Sequence, residues 1–514
     1  MWTIGQDIEW ETLLEPPSTA LQKPVIPVIH QSPKRSPIAI LGVPFDSLGL
    51  TGALAEIEKM IASGRAHYVV TANVDFLVQA RQDMELRRIL IEADLALCDG
   101  TPLLWASRWL GNPLPERVAG ADLVPRLIEI AALKEYRLFF LGGKPEVTAQ
   151  AVGNLERQYP GLRVTGYSPP FRPLLEMPNA DILRRIREAK PDVLLVSFGC
   201  PKAEKWMAMH YQSLGVPVVI GVGGTIDFLA GNLKRAPVWM QQSGVEWLFR
   251  LFQEPRRLAR RYGSDLWDFS RAILTQWWTL QGRPRRARPT PPISALVVEP
   301  NWQRLRVPER FDLHGIGRAV DVCEQGKRSP RHCLLEMGNV KFIDSTALAL
   351  LVRLDKELRR AGRRLVLLEP SREVQRALKL MRLDAFFLVA ADVLEARQVI
   401  QASTQEPVAP VALAGLSSHP SLAAWQGEIT RHNVRRVWRL TKMQIEAMAR
   451  WRKDLVIELS AVRFIDSAGI GLMLRAKKEA ERLGATLTFT RVPPAVQNAL
   501  ERAELDIFCG QEAA

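Results

Sequence analysis

Val193-Leu-Leu-Val-Ser-Phe-Gly-Cys-Pro-Lys-Ala-Glu204 decides the fold, together with Val218-Val-Ile-Gly-Val-Gly-Gly-Thr-Ile-Asp227 soon after it. Each stretch begins as a short apolar run, turns at glycine and enters a helical pattern. Upstream, Tyr136-Arg-Leu-Phe-Phe-Leu141 runs into Gly142-Gly-Lys-Pro-Glu146, with Pro145 near the first helical position, where its missing N–H costs nothing. Ile38-Ala-Ile-Leu41, Tyr68-Val-Val-Thr71 and Leu95-Ala-Leu-Cys98 read as further buried strands. Amphipathic segments lie between, such as Asp181 to Lys190, with Ile182, Leu183 and Ile186 on one face. Strands alternating with such helices predict a mostly parallel, wound α/β sheet. Ligands of such sheets sit beyond the strand C-termini, where loops meet helix N-termini.

This unit is one part of a longer chain. With 514 residues, the prior is about three domains. Proline-rich stretches at 16–37 and 282–293, and a milder break at 401–410, divide it. The predicted parts are an N-terminal extension (1–37), the wound unit (38–281), a Pro/Arg linker (282–293) and two smaller units (294–400 and 411–514). The smaller units are an internal repeat. Val340-Lys-Phe-Ile-Asp-Ser-Thr-Ala347 in one matches Val462-Arg-Phe-Ile-Asp-Ser-Ala-Gly469 in the other, each after a strand and before an amphipathic helix.

Composition narrows the class. Hydrophobic residues at 47% and charged ones at 24% exclude a wholly disordered chain. The 69 basic against 55 acidic residues favour anionic partners. Five scattered cysteines without a Cys-x-x-Cys pair argue against a disulfide framework or zinc ribbon, and fit buried small hydrophobes in a reducing cytoplasm. The N-terminus is acidic and lacks an apolar core, so no signal peptide is expected. No apolar run approaches the ~18 residues of a spanning helix. Any membrane contact is therefore expected to be peripheral.

Gly-x-x-x-x-Gly-Lys-Ser/Thr, His-Glu-x-x-His, Gly-x-Ser-x-Gly and a Gly-x-Gly-x-x-Gly after a strand are all absent, which disfavours ATPase, zinc protease, serine hydrolase and ordinary dinucleotide enzyme. Asp-x-Asp, a pair that holds divalent metal through oxygens, is absent too. Chemistry-bearing residues gather instead at the predicted strand ends: Thr71-Ala-Asn-Val-Asp75, Asp99-Gly100, Arg117-Val-Ala-Gly-Ala-Asp122, Gly142-Gly-Lys144, Gly199-Cys-Pro-Lys-Ala-Glu204 and Gly221-Val-Gly-Gly-Thr-Ile-Asp227. Glycine lets a ligand approach the backbone, and exposed helix N–H groups favour phosphate.

In this order, and with Lys234-Arg-Ala-Pro-Val-Trp239, Glu246-Trp-Leu-Phe-Arg250 and Glu254-Pro-Arg-Arg-Leu-Ala-Arg-Arg-Tyr262 behind them, these motifs resemble the WecG/TagA/CpsF glycosyltransferase family from Ile38 to about Leu274. The resemblance implies a Rossmann-like fold. It implies transfer of an N-acetylmannosamine-type or related sugar from a UDP-sugar donor to a sugar on undecaprenyl diphosphate, at the cytoplasmic membrane face. It implies no cofactor and no divalent metal. Asp99 matches the family carboxylate that acts as general base on the acceptor hydroxyl; Asp75 is the rival base, and an N-cap aspartate is the plain alternative for Asp99. Thr71 and Asn73 match pocket positions, and Arg117 is the planar donor fork for a diphosphate. Gly142, Gly143, Lys202, Glu204, Gly223 and Asp227 complete the expected binding set, and Arg250, Arg257 and Arg260 match the family's critical arginines. One departure is visible: the family has Gln before the Glu of the Gly-x-Pro-Lys-x-Glu loop, where this chain has Ala203.

From Glu246 to Arg288 arginines interleave with Trp247, Phe249, Phe252, Trp267, Phe269, Trp277 and Trp278, a pattern that fits a helix lying on an anionic bilayer. A solvated charged helix is the plainer reading, and nucleic acid is not expected. Phe342-Ile-Asp-Ser-Thr346 and Phe464-Ile-Asp-Ser-Ala-Gly469 resemble the STAS fold of anti-sigma-factor antagonists. In that family the second residue after Asp is phosphorylated; here it is Thr346 in the first copy and Ala468 in the second. The resemblance implies a regulatory or partner-binding tail, with Thr346 as the candidate phosphosite and simple helix capping as its alternative. The rival functions are a degenerate transferase kept as a signalling scaffold, favoured by Ala203, and a nucleotide-cofactor oxidoreductase.

Overall fold

In the computed structural model the described residues are 36–233, 235–237, 239–240, 245–253, 255–280, 295–299, 302–312, 316–404, 421–451, 454–503 and 505. The N-terminal extension (all but its last two residues) and the Pro/Arg linker lie outside them, as does Cys509. Strands β1 (Ile38–Ile40) and β2 (Val43–Phe45) form an antiparallel hairpin. Strands β3 (His67–Ala72), β4 (Leu95–Cys98), β5 (Leu138–Gly142), β6 (Val164–Tyr167), β7 (Val193–Ser197) and β8 (Val218–Gly221) form one all-parallel sheet in the order β4-β3-β8-β7-β5-β6. Its central strands are apolar on both faces because helices cover both.

The sequence reading is corrected at two strands. Ile38–Ile40 is buried as expected, but it pairs only with β2 and stands outside the parallel sheet. The sixth sheet strand is instead Val164-Thr-Gly-Tyr167, an edge strand with only Val164 buried, which leaves no apolar run to read. The β1–β2 turn puts Leu41 and Gly42 at φ of +49° and +86°, as a tight two-residue hairpin requires. A Cβ on Gly42 would also collide with the Arg87 guanidinium and the Met381 carbonyl, so only glycine fits.

The tail folds twice into strand, helix and parallel strand. Its first module contains β9 (Ala295–Glu299), β10 (Trp302–Arg306), β11 (Arg310–Phe311), β12 (His332–Glu336), β13 (Phe342–Ile343), β14 (Leu365–Leu368) and β15 (Leu388–Ala390). The larger sheet runs β15-β14-β12-β10-β9, antiparallel only at β9–β10. The second module has a parallel sheet of β16 (Ser421–Ile429), β17 (Leu455–Ile465) and β18 (Leu487–Thr490). Cys98, Cys323 and Cys333 are buried, as expected of cysteines that act as small hydrophobes, and Cys200 is half-buried.

Both modules dock on the wound unit, and both turn the start of their repeat helix toward it. Helix 84–92 is the hub. Its Arg87 donates to the Leu41, Met381 and Arg382 carbonyls on the first-module side. Arg88 makes a bidentate pair with Glu428 at 2.8 and 3.0 Å, and Arg431 and His432 reach Glu92, all toward the second module. Ala39, Ile91 and Leu280 of the wound unit belong to the apolar core of the first module. These contacts make the junction an extension of the core.

Candidate active site

The strand ends named in the sequence do converge on one edge. Extended parallel strands leave their last residues in line, and the backbone N–H of Asp99 bonds the carbonyl of Ala72 at 2.9 Å, which sets the ends of β3 and β4 level. Thr71 is buried. Its hydroxyl donates to the Gly221 carbonyl at 3.0 Å, so it ties β3 to β8. Asn73 caps helix 74–80, its side-chain oxygen accepting from the Phe76 N–H at 3.4 Å. Asp75, in that helix's first turn, is buried and accepts from Gln79 Nε2 at 2.9 Å. Asp99 is half-buried and precedes helix 101–109, whose N-cap, Gly100, would place a Cβ 3.8 Å from that of Asn73. Gly100, the neighbour of Asp99, therefore lies against Asn73.

Arg117 stands near enough for the Asp99 charge to act on it, but its guanidinium is already engaged. It bonds Glu246 at 2.7 Å and Asp122 at 2.9 Å. Arg235 closes the square, reaching Asp122 at 2.7 Å and Glu246 at 3.4 Å. Burial works against the charge on Arg117, and Asp122, Glu246 and Asp99 outweigh it and raise its pKa above the ordinary value. The square links helix 120–134 to helix 246–253 beside the strand ends. Glu246 and Arg235 were not among the sequence-predicted site residues. Both lie in motifs that carry the family resemblance, but nothing in the sequence shows which charges meet.

Gly142 and Gly143 sit at φ of +106° and +76°, and a Cβ on Gly142 would come 2.4 Å from the Ser197 carbonyl. Ser197 Oγ in turn donates to the Gly223 carbonyl at 2.5 Å, so the turns after β5, β7 and β8 are stitched together. Gly223 is exposed and Asp227 half-buried in the first turn after β8. Lys202 donates to the Arg172 carbonyl and lies 4.7 Å from the Phe171 ring; burial lowers its pKa. Arg250, Arg257 and Arg260 fall on helices 246–253 and 255–280, but their side chains lie outside the described residues. Among the described residues no group of three or more His, Cys, Asp or Glu side chains is placed to hold a metal ion.

Glu204 is different in kind. It is 3% exposed, one carboxyl oxygen has no hydrogen-bond partner, and it lies under β8, where a Cβ on Gly221 would meet its other oxygen at 3.0 Å. Burial raises its pKa to about 7 and Asp75 pushes the same way, while a hydrogen bond from Cys200 opposes them. The native state thus keeps a proton that the unfolded chain loses near its ordinary 4.5. Stability on this account is greatest below about pH 4.5, falls as pH rises toward 7, and is level above that. Glu204→Gln is expected to remove the slope, so that its stability gain over wild type grows by roughly 3 kcal/mol between pH 4.5 and pH 8. Denaturant melts at both pH values measure it; equal differences at the two would sink the idea.

The tail's signature loops face inward. Asp344 caps helix 345–360, accepting from the Thr346 and Ala347 N–H groups at 2.9 Å each. Thr346 is 1% exposed, and its hydroxyl accepts from Asn112 Nδ2 of the wound unit at 3.1 Å. Ser345 Oγ accepts from Gln276 Nε2 at 2.9 Å. In the second module Ser467 gives both its N–H and its hydroxyl to Glu85, each at 2.7 Å, and Ala468 is buried beside it.

The Glycosyl transferase WecG/TagA/CpsF family model matches residues 38–283, and the STAS domain model matches 293–396 and 420–509. The chain is 30% identical over 212 residues to the N-acetylglucosaminyldiphosphoundecaprenol N-acetyl-beta-D-mannosaminyltransferase of Bacillus spizizenii, covering 41% of this chain and 81% of that protein. It is 28% identical over 237 residues to the protein of the same name from Staphylococcus aureus, covering 45% and 91%. A solved STAS domain protein from Planctomyces limnophilus aligns at 19% identity with a TM-score of 0.18, over 19% of this chain and 90% of that one. The six-stranded parallel sheet, the glycine turns at its strand ends and the matches to both relatives place this chain in the WecG/TagA/CpsF glycosyltransferase family, with two STAS modules behind the transferase unit.

Proposed function

We propose that the transferase unit moves an N-acetylmannosamine-type sugar from a UDP donor to an N-acetylglucosamine carried on undecaprenyl diphosphate. The observation that carries this reading is Asp99, half-buried at the end of β4 next to Gly100, which lies against Asn73 on the glycine-lined edge of a parallel sheet. Asp99 takes the proton of the acceptor hydroxyl. The freed oxygen pair attacks the anomeric carbon, a new C–O bond forms, and the bond to the UDP oxygen breaks. Donors near the departing diphosphate lower the barrier because its charge grows in the transition state. Backbone N–H groups of the turns after β5 and β8 suit that task, and Arg117 would have to share its guanidinium with Glu246 and Asp122.

The lipid-linked acceptor calls for a unit that works at a membrane surface. No helix of the described residues is long and apolar enough to cross a membrane. Helix 255–280 buries Phe269, Ala272 and Ile273 in the transferase core and leaves Trp267 and Trp278 73% and 75% exposed. That amphipathic face supports peripheral attachment to an anionic cytoplasmic leaflet. The STAS pair is the regulatory element in this reading, and its first partner is the transferase of the same chain, because both signature loops are docked on it.

A panel of UDP-sugars, with and without N-acetylglucosaminyl-diphospho-undecaprenol, tests the assignment. Product only with the UDP-N-acetylmannosamine class and the lipid acceptor is the expected result. No transfer from any donor, with UDP still bound, would instead support the scaffold reading that Ala203 favours.

A further inference from the structure

Where the transferase unit meets the first STAS module, arginines outnumber carboxylates. A cavity of about 440 Å³ lies between helix 255–280 and the end of helix 372–380. Arg81 and Arg87 line it from the transferase core, Arg271 from helix 255–280, and Arg382 from the STAS module; the one carboxylate in its wall is Asp268. Among the described residues no carboxylate makes an ion pair with any of these four arginines. Three of them donate to main-chain carbonyls instead: Arg81 to Asp268, Arg382 to Arg81, and Arg87 to Leu41, Met381 and Arg382. Arg87 is 2% exposed. Burial, and then the like charges of Arg382 and Arg81, lower its pKa to about 10, with Asp384 opposing them.

The cationic wall continues. A second, more open cavity of about 580 Å³ shares Leu380 with the first and is lined by Arg372, Arg376 and Lys379, with no carboxylate in its wall. A buried arginine crowded by its own kind is costly unless an anion offsets the repulsion. Guanidinium forks match phosphate oxygens in geometry as well as charge. We propose that this junction is a binding site for a phosphate-bearing anion, of the diphosphate or polyphosphate class, that bridges the transferase unit and the first STAS module. The site is separate from the strand-end edge and does not depend on the sugar assigned there. Because its arginines come from both units, occupancy couples them: an anion bound between Arg271 and Arg382 holds the STAS module in place.

Two sources offer this chemistry, a soluble polyphosphate and an anionic lipid headgroup, and two probes separate them. Full-length protein is titrated with tripolyphosphate by calorimetry, and sedimented with phosphatidylglycerol or phosphatidylcholine vesicles. Arg271→Gln with Arg382→Gln is expected to weaken the relevant probe ten-fold or more, and wild type alone should gain hydrogen-exchange protection across residues 372–382. Loss confined to tripolyphosphate identifies a soluble ligand; loss confined to phosphatidylglycerol identifies a headgroup. If the double variant melts lower without ligand, the exposed Arg271→Gln alone carries the comparison, with a loss of at least three-fold. Equal binding of wild type and variant to both probes, or no binding to either, would overturn the proposal.

Discussion

Asp99→Asn is expected to lower sugar transfer by roughly 100-fold or more, the usual scale for losing a positioned general base. The substitution keeps the shape of the side chain and leaves the backbone bond from residue 99 to the Ala72 carbonyl in place. Melting temperature and UDP affinity should therefore stay near wild type, and kcat should take the loss. Asp75 is the control. It is buried and held by Gln79 at 2.9 Å, whereas Asp99 is half-buried on the open edge. A carboxylate must reach the acceptor proton before its basicity matters. Near-normal turnover in Asp99→Asn, with Asp75→Asn inactive, would move the role to Asp75.

The second large effect is expected at Thr346→Glu. A threonine at a helix N-terminus suggests a phosphate welcomed by free N–H groups, but those groups are already capped by Asp344. The hydroxyl is buried against Asn112, whose amide also donates to the Ser36 and Pro37 carbonyls. A carboxylate there would give up its water at a place that is 1% exposed, and an uncompensated buried charge costs on the order of several kcal/mol. The first STAS module is expected to leave the transferase, with hydrogen exchange rising together in residues 38–40 and 345–360. Thr346→Val should cost only about 1 kcal/mol, the worth of one hydrogen bond. Undiminished protection in Thr346→Glu would mean that the junction tolerates the charge, and that phosphorylation at Thr346 cannot act by undocking.

Much of the architecture was legible in the residues. Parallel strands covered on both faces must be apolar throughout, so β3, β4, β5, β7 and β8 announced themselves as runs. Val164–Tyr167 did not, because an edge strand buries only part of itself and Gly166 interrupts it; that glycine is needed where a Cβ would meet Thr148 at 2.7 Å. Ile38–Ile40 read as a sheet strand because burial in a run does not say what covers it. Here Ile38 and Ile40 pack in the wound unit's own core while Ala39 joins the core of the first STAS module, a division that period and composition cannot reveal.

The sequence by itself determined the wound α/β unit, the repeated tail, and the gathering of Thr71, Asn73, Asp99 and the glycine turns at one sheet edge. Each is a local statement: strand length, helix period, or a loop following a strand. Only the tertiary structure decided which charges meet. Arg117 finds Glu246 from 129 positions away, and Thr346 finds Asn112 from 234. It also decided that the signature loops of both STAS modules face the transferase, and that four arginines from three separate stretches share one cavity. Hydropathy patterns record whether a side chain leaves water, through an energy that scales with its own apolar area. Ion pairs and hydrogen bonds depend on partners a few ångströms away in space and at any distance along the chain, so their identity appears only once the chain has folded.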